Sequence, residues 1–453
     1  MGLVHDLPTG MVEWVAKVGG GDVTRLERHV ARREAWVVDV ARPDGSVLDG
    51  FLRLERDPQP GNPWSLHKET RIVEALGGTP VPVPAVHGWN DELTCALFER
   101  VPGRSDLDKV ADTTQQRAVM EDFMRVVGAL HNLELDALAL DDVMASRPTT
   151  ARECALGELD LILGAWGEFL AGYTDPLITY GVEWLRRYAP TTVARVSLVQ
   201  GDTGPVNFMF EGDRVRAVID WEWGHFGDPM EDLGNICVRE FWNPSGGLGG
   251  LFDLYAASSG IPYSRAGAQY YRVQQNVRGM IPIHAVTVNA HPRESVAWYL
   301  AYRYVGDRAT CEAIAEAMGV ALERPEMPDG SGAGDILAEA AQYALANDVA
   351  PHVDGLFAVS RVEDVRILVQ CMERRRRFGD ALAVVECDEV GTLLGRRPRT
   401  LGGAMKALDA AIRNRRVDDE AALRYLARRA YRDEWLHAPA AALYPNRSWS
   451  PLD

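Results

Sequence analysis

No apolar run in this sequence approaches the roughly 18 residues that a membrane-crossing helix needs, so a membrane span is not expected. The opening stretch, Met1 to Gly10, has no apolar core segment and contains the acidic Asp6, which argues against a secretory signal. A cytoplasmic location follows as the default expectation. Short cysteine spacings are also missing. The six cysteines (Cys95, Cys154, Cys237, Cys311, Cys371 and Cys387) include no C-x-x-C pair, which excludes the usual zinc and disulfide frameworks and leaves buried free thiols. Basic residues are in deficit, 48 Lys and Arg against 65 Asp and Glu, for a formal charge of −17. Such a surface repels nucleic acid and anionic membranes, so neither is an expected partner. Any bound polyphosphate then has to be held by a local cluster of cations or by a metal.

What is present is the composition of an ordinary globular protein, 47% hydrophobic and 25% charged. A chain of 453 residues is too long for one core and implies roughly two to four domains. Residues 23–56 read as strands: Glu34-Ala-Trp-Val-Val-Asp-Val40 is β-branched and aromatic, and Arg42-Pro-Asp-Gly-Ser46 is a turn leading into Val47 to Glu55. Ser65 to Leu76 has a helical pattern, with Ser65 as N-cap and Gly77-Gly78 as a stop. Short strands fit Ala85–Trp89 and Leu93–Arg100. From Thr113 onwards the pattern is helical, apart from Arg195–Val199, Asn207–Phe210 and Val215–Ile219. Pro325 to Gly334 is a linker dense in Gly and Pro, and 335–453 reads as all-helical.

The chemistry concentrates in Leu198-Val-Gln-Gly-Asp-Thr-Gly-Pro-Val-Asn207, Val218-Ile-Asp-Trp-Glu222 and Gly227-Asp-Pro-Met-Glu-Asp-Leu233. A strand ends at Gln200, and Gly201 permits a tight turn that presents Asp202. Asn207 opens the next strand, and Asp220 ends its partner beyond the Gly212 turn. The hairpin brings Asp202, Asn207 and Asp220 to one end of the β unit. Two carboxylates and an amide oxygen suit Mg²⁺, a hard cation that prefers oxygen ligands. Asp228 and Asp232, four apart at a helix start, fit N-terminal capping and the helix dipole, with Asp228 bracing the catalytic loop.

These blocks resemble the catalytic core of the aminoglycoside phosphotransferase and choline kinase family, a variant of the protein-kinase fold. The family pattern is H-G-D-x-x-x-x-N, then [IV]-D-[WF]-E, then G-D-P-x-x-D-L, and three blocks in order and spacing are specific. The resemblance implies an α+β, bilobal, protein-kinase-like fold with an all-α C-terminal domain. It implies an N-lobe at 1–103, a C-lobe at 104–324, a linker at 325–334 and a helical domain at 335–453. It also implies an enzyme, a small-molecule kinase that uses ATP or GTP with Mg²⁺. By the same resemblance Asp202 is the catalytic-loop aspartate that orients and deprotonates the acceptor hydroxyl, and Asn207 and Asp220 bind the metal. The one departure is Gln200 where the family has histidine. That histidine is mainly a hydrogen-bonding brace, and a glutamine can also donate and accept.

On the nucleotide side, resemblance makes Arg53 in Phe51-Leu-Arg-Leu54 the phosphate-binding cation and Glu69 its helix partner. Phe98-Glu-Arg-Val-Pro-Gly103 resembles the hinge between lobes, where main-chain groups at Glu99 and Val101 meet the purine edge. The loop over the phosphates has no glycine. Arg28, Arg32 and Arg33 offer charge in place of backbone donors, and a solvated basic turn explains them equally.

His131 reads as a packed helix-end residue. Trp223, His225, Arg239, Trp242 and His284 are candidates for the acceptor pocket. The blocks look most like phosphotransferases associated with acyl-CoA dehydrogenases, whose members phosphorylate hydroxyacyl-CoA substrates. Antibiotic phosphorylation (macrolide or aminoglycoside) and a non-catalytic nucleotide-binding scaffold stay open as alternatives. In the tail, Arg374 to Arg377 and Arg413 to Arg416 offer cations to an anionic CoA handle, and solvated helix faces explain them too. The same helical domain offers a surface for a homodimer.

Overall fold

The structure, a computed structural model, describes residues 7–29, 34–56, 58–59, 61–292, 294–329, 334–445 and 447–452. In chain order its elements begin with α1 (Met11–Gly19), β1 (Asp22–His29), β2 (Glu34–Ala41), β3 (Val47–Leu54), α2 (Leu66–Leu76), β4 (Val86–Asn90) and β5 (Cys95–Glu99). Then come α3 (Thr113–His131), α4 (Leu135–Leu138), α5 (Ala151–Ala165), α6 (Gly167–Gly172) and α7 (Pro176–Arg187). The short strands β6 (Ser197–Val199), β7 (Phe208–Glu211), β8 (Arg214–Val218) and β9 (His225–Gly227) lead into α8 (Pro229–Trp242) and α9 (Leu251–Ser259). The remainder is helical: α10 (Arg265–Asn289), α11 (Val296–Met318), α12 (Ile336–Tyr343), α13 (Leu356–Leu394), α14 (Leu401–Arg413) and α15 (Asp419–Leu436).

By internal contacts the chain divides into two compact units, Met1–Gly157 with Pro190–Ala268, and Glu158–Ala189 with Gln269–Asp453. Both parts expected to hold the chemistry, the N-terminal sheet and the short strands of 197–227, fall in the first unit.

That unit is built on a five-stranded antiparallel sheet in the order β1-β2-β3-β5-β4. Alternation along β2 turns Trp36, Val38 and Val40 inward, where they meet Leu48, Leu52, Leu54, Cys95 and Leu97. Each such side chain contributes about 1.5–3 kcal/mol on leaving water. The same core takes Met11 and Val15 from α1, a helix that the sequence reading missed. It is only nine residues long and starts without a side-chain cap, so neither length nor a start signal marks it.

The start of α2 is as read: Ser65 Oγ accepts from the Lys68 amide at 3.2 Å. The helix buries Leu66, Ile72, Val73 and Leu76, a spacing that makes one apolar stripe. Residues 195–219 also follow expectation. β7 and β8 form the hairpin around Gly212, and Phe208 stacks on Phe123 of α3 at 4.3 Å between centroids. The pairing of β6 with β9 was not foreseen, because a three-residue strand gives too little periodicity to read.

The second unit is helical. One of its cores gathers Ala297, Ala301, Ile367, Cys371 and Ala440. Arg374 stands over the Trp435 ring at 4.3 Å and donates to the carbonyls of Trp435 and Leu436, closing the end of α15. Arg376 pairs with Glu373, and Arg413 donates to Asp409 and Thr179. These arginines of the basic runs are engaged within the unit. Among the described residues no helix is long and apolar enough to cross a membrane.

Candidate active site

The site begins with a buried carboxylate. Asp232 sits in the first turn of α8 with no side-chain exposure, and four groups converge on it. Gln200 N donates to Oδ2 and Gly201 N to Oδ1, each at 3.0 Å; Thr203 Oγ1 donates to Oδ1; His131 Nε2 lies 3.0 Å from Oδ2. Burial pushes this carboxyl up. The hydrogen bonds and charge of His131, then those of Thr203 and the Gly201 amide, outweigh it and hold the group below its ordinary value. His131 is itself fixed, with Nδ1 2.8 Å from the Tyr255 hydroxyl and its carbonyl accepting from Ser197 Oγ at 2.8 Å.

The carboxylate seen holding the 200–203 turn is therefore Asp232, where the sequence pointed to Asp228. Asp228 caps the helix, accepting from the Met230 amide at 2.9 Å. The spacing of four could not separate them, since either carboxylate can cap and only the fold turns the second one under the loop.

On this base the loop turns at Gly201, whose φ of +81° suits glycine; a Cβ there would run into the carbonyl of Trp223. Gln200 then ties the turn to the segment at Ile219 and Asp220. Its Oε1 accepts from the Asp202 amide at 2.9 Å and lies 3.2 Å from Thr203 Oγ1, and its Nε2 donates to the carbonyls of Ile219 (3.1 Å) and Asp220 (2.7 Å). Asn207 Nδ2 donates to the Asp202 carbonyl at 2.7 Å and to its Oδ2 at 3.0 Å. That leaves the Asn207 amide oxygen directed away from the carboxylate. The Ile219 amide donates to the Asn207 carbonyl at 2.9 Å, so Asp220 follows one residue past this link. The backbone is strained at both points: Val206, just before Asn207, has φ +77°, and Asp220 has φ +60°.

Toward the sheet, Arg53 of β3 pairs with the buried Glu69 of α2 through Nη1, and its Nη2 lies 3.9 Å from Asp220 Oδ1. Arg53, Glu69, Glu99, Val101, Asn207 and Asp220 all line one cavity of about 580 Å³. Asp202 stands behind Asn207 and does not line it. Val37 on one side and Met209 and Ile219 on the other supply the apolar walls. Glu99 is fixed in both directions to Ala85, accepting from its amide through Oε2 at 3.0 Å and donating its own amide to its carbonyl at 2.8 Å. In the glycine-free loop Arg28 lies 3.6 Å from Glu34; Arg32 and Arg33 fall outside the described residues.

Asn207 and Asp220 fit a magnesium ion that keeps most of its sphere for water and phosphate oxygens. Their carboxylate and amide oxygens are hard donors, and the Arg53 guanidinium lies beside them, 3.9 Å from Asp220. Among the described residues no group of three His, Cys, Asp or Glu forms a closed cage.

Of the acceptor-side candidates, one reaches Asp202 directly. Arg239 donates from Nε to Asp202 Oδ1 at 3.0 Å and from Nη2 to Oδ2. His225 lies 2.8 Å from the Trp223 carbonyl and 3.2 Å from Glu231, Trp223 packs on Trp64, and Trp242 packs on Phe241. His284 belongs to the second unit, buried between Asp307 (2.8 Å) and the Tyr173 hydroxyl (3.0 Å).

The sequence model of the phosphotransferase enzyme family matches residues 23–270. The chain belongs to that family. This phosphotransferase is 26% identical over 257 residues to mouse (Mus musculus) acyl-CoA dehydrogenase family member 10, covering 53% of this chain and 22% of the relative. It is 27% identical over 211 residues to rat (Rattus norvegicus) acyl-CoA dehydrogenase family member 11, covering 44% and 25%. The phosphotransferase thus matches about a quarter of each relative's length. A solved Ralstonia eutropha chain assigned to the aminoglycoside phosphotransferases superposes with a TM-score of 0.51 at 20% identity, over 67% of this chain and 95% of that one. That likeness is one of fold, a kinase-like sheet with a helical lobe. The enzyme class follows from the family, a phosphotransferase.

Proposed function

We propose that this phosphotransferase moves the terminal phosphoryl group of ATP or GTP, with Mg²⁺, onto a hydroxyl of a hydroxyacyl-CoA. The observation that carries this reading is the convergence of Arg53, Asn207 and Asp220 on one 580 Å³ cavity, with Asp202 held against Asn207. That volume falls within the roughly 300–1,000 Å³ of sites for molecules of nucleotide size. Glu99 and Val101 lie along the apolar walls, where main-chain groups can meet a purine edge. Arg53, kept in place by Glu69, offers a planar fork to phosphate oxygens. Asp202 orients the acceptor hydroxyl and takes its proton as the new P–O bond forms. Magnesium, bound at Asn207 and Asp220, would neutralise charge on the phosphates. Catalysis in this arrangement is positioning and charge stabilisation. The acyl-CoA part of the proposal draws on the two relatives, both named as acyl-CoA dehydrogenase family members.

The test is a nucleotide-consumption screen over hydroxyacyl-CoAs, macrolides, aminoglycosides and amino alcohols, with phosphorus NMR of the product. Formation of a phosphate monoester on a hydroxyacyl-CoA is the expected result. A screen in which only antibiotics are phosphorylated, or no acceptor at all, overturns it.

A further inference from the structure

The carboxylate proposed to face the acceptor has a guanidinium fixed against it. Arg239, in the last turn of α8, forks onto both oxygens of Asp202, and the two side chains are only 22% and 18% exposed. The approach is built into the backbone. Gly204 has φ +138°, and a Cβ there would lie 2.6 Å from Arg239 Cβ, so a residue without a side chain lets the arginine stem lie against the loop. Two effects follow. A bidentate fork fixes the carboxylate plane, which Asn207 also holds from the other side. The fork also cancels the charge of Asp202 in a partly desolvated site, where charges are weakly screened. A bare carboxylate there would draw an ammonium group; this one presents a cation beside it.

We propose that Arg239 positions Asp202 and determines acceptor specificity, admitting molecules that are neutral or anionic around the reacting hydroxyl, such as acyl thioesters, and refusing polyamino sugars. The inference deepens the function proposed above and rests on Asp202 being the acceptor-facing group.

The experiment uses the full chain with a non-hydrolysable nucleotide and Mg²⁺, and measures binding of 4-hydroxybutyryl-CoA and of kanamycin by calorimetry. The wild type should bind the thioester at least about tenfold more tightly than kanamycin. Arg239→Met should shift that ratio toward kanamycin by about tenfold or more, the scale of one lost charge contact. Arg239→Lys, which keeps the charge and loses the fork, should hold the binding ratio while lowering kcat. Nucleotide affinity, which Arg239 does not touch, reports that each variant is folded, and Arg239→Lys serves where the methionine variant fails to fold. A wild type that prefers kanamycin or binds neither molecule, or a ratio unmoved in Arg239→Met, overturns the proposal. Full turnover by Asp202→Asn instead removes the underlying role of Asp202 while the binding ratio can still be read.

Discussion

Gln200 donates from Nε2 to the carbonyl of Asp220 at 2.7 Å, so the residue just before the Gly201 turn holds the segment carrying the proposed metal ligand. Its Oε1 accepts from the Asp202 amide, so one side chain couples the two carboxylates. Gln200→Ala should leave an amide and two carbonyls without their partner, which costs stability of about 1–3 kcal/mol per buried group, and by loosening the two carboxylates should separately lower kcat by about 10- to 100-fold. Gln200→Glu keeps the acceptor and loses the donor, so it should share the loss; Gln200→His, with one donor and one acceptor, should recover part. Steady-state kinetics on the identified acceptor decide this, and a kcat unchanged in Gln200→Ala refutes the coupling.

Asp202 and Asp220 should fail differently. Asp202→Asn keeps the shape and removes the base, so turnover should fall about 10²- to 10⁴-fold while nucleotide affinity stays within a few-fold of wild type. Asp220→Asn weakens a hard-oxygen ligand, so Mg-nucleotide affinity should fall and turnover with it. Arg53→Met should resemble Asp220→Asn in binding and also leave Glu69 buried beside a missing cation, lowering stability. Calorimetry against single-turnover rates separates the classes, and the same binding defect in all three variants contradicts the division.

Much of this was legible beforehand because the decisive residues stand in a short, ordered stretch. Gly-Asp with Asn five residues on, a hairpin through Gly212, and Asp at its far end fix one another by local geometry alone. The pairing of Arg53 with Glu69 was available only by resemblance, since nothing in a lone strand arginine says which helix faces it. Arg239 and His131 were seen as isolated polar residues. Their partners, Asp202 and Asp232, lie 37 and 101 positions away, and no spacing rule reaches that far. Asp228 and Asp232 share both capping chemistry and burial, and what marks Asp232 is that the packing of α3, β6 and α8 sets it against the Gln200 and Gly201 amides, which no local spacing shows.

Asp232 should be the costliest single carboxylate to remove from the first unit. It is fully buried and satisfies two amides, a hydroxyl and an imidazole. Asp232→Ala strands all of these, at about 3–5 kcal/mol for a broken buried pair, and should lower the thermal midpoint by several degrees. The folded group titrates below its ordinary value, so the stability it supplies is complete above about pH 4 and declines as the pH falls further. In acid titrations Asp232→Asn should lose this low-pH slope relative to wild type; an unchanged slope argues against the brace.

In the second unit two groups one helical turn apart should work against each other. Burial drives the His437 imidazole down to about 4 and the Asp433 carboxyl up to about 6, while His437 Nδ1 lies 2.8 Å from the Asp433 carbonyl. For His437 the unfolded chain, near 6.5, takes up its proton first, so stability falls as the pH drops from about 6.5 to 4. For Asp433 the folded chain holds its proton longer, so that stability is complete below about 4 and is lost as the pH rises through 6. Each shift corresponds to about 3 kcal/mol at full effect, and between 4 and 6 they oppose. Asp433→Asn removes one side of the balance. Its stability should then climb from pH 4 to 6.5 more steeply than that of wild type, read as unfolding midpoints across that range. His437→Gln should reverse the contrast, with stability declining over the same interval. Parallel curves for wild type and both variants would mean that neither group changes its protonation on unfolding.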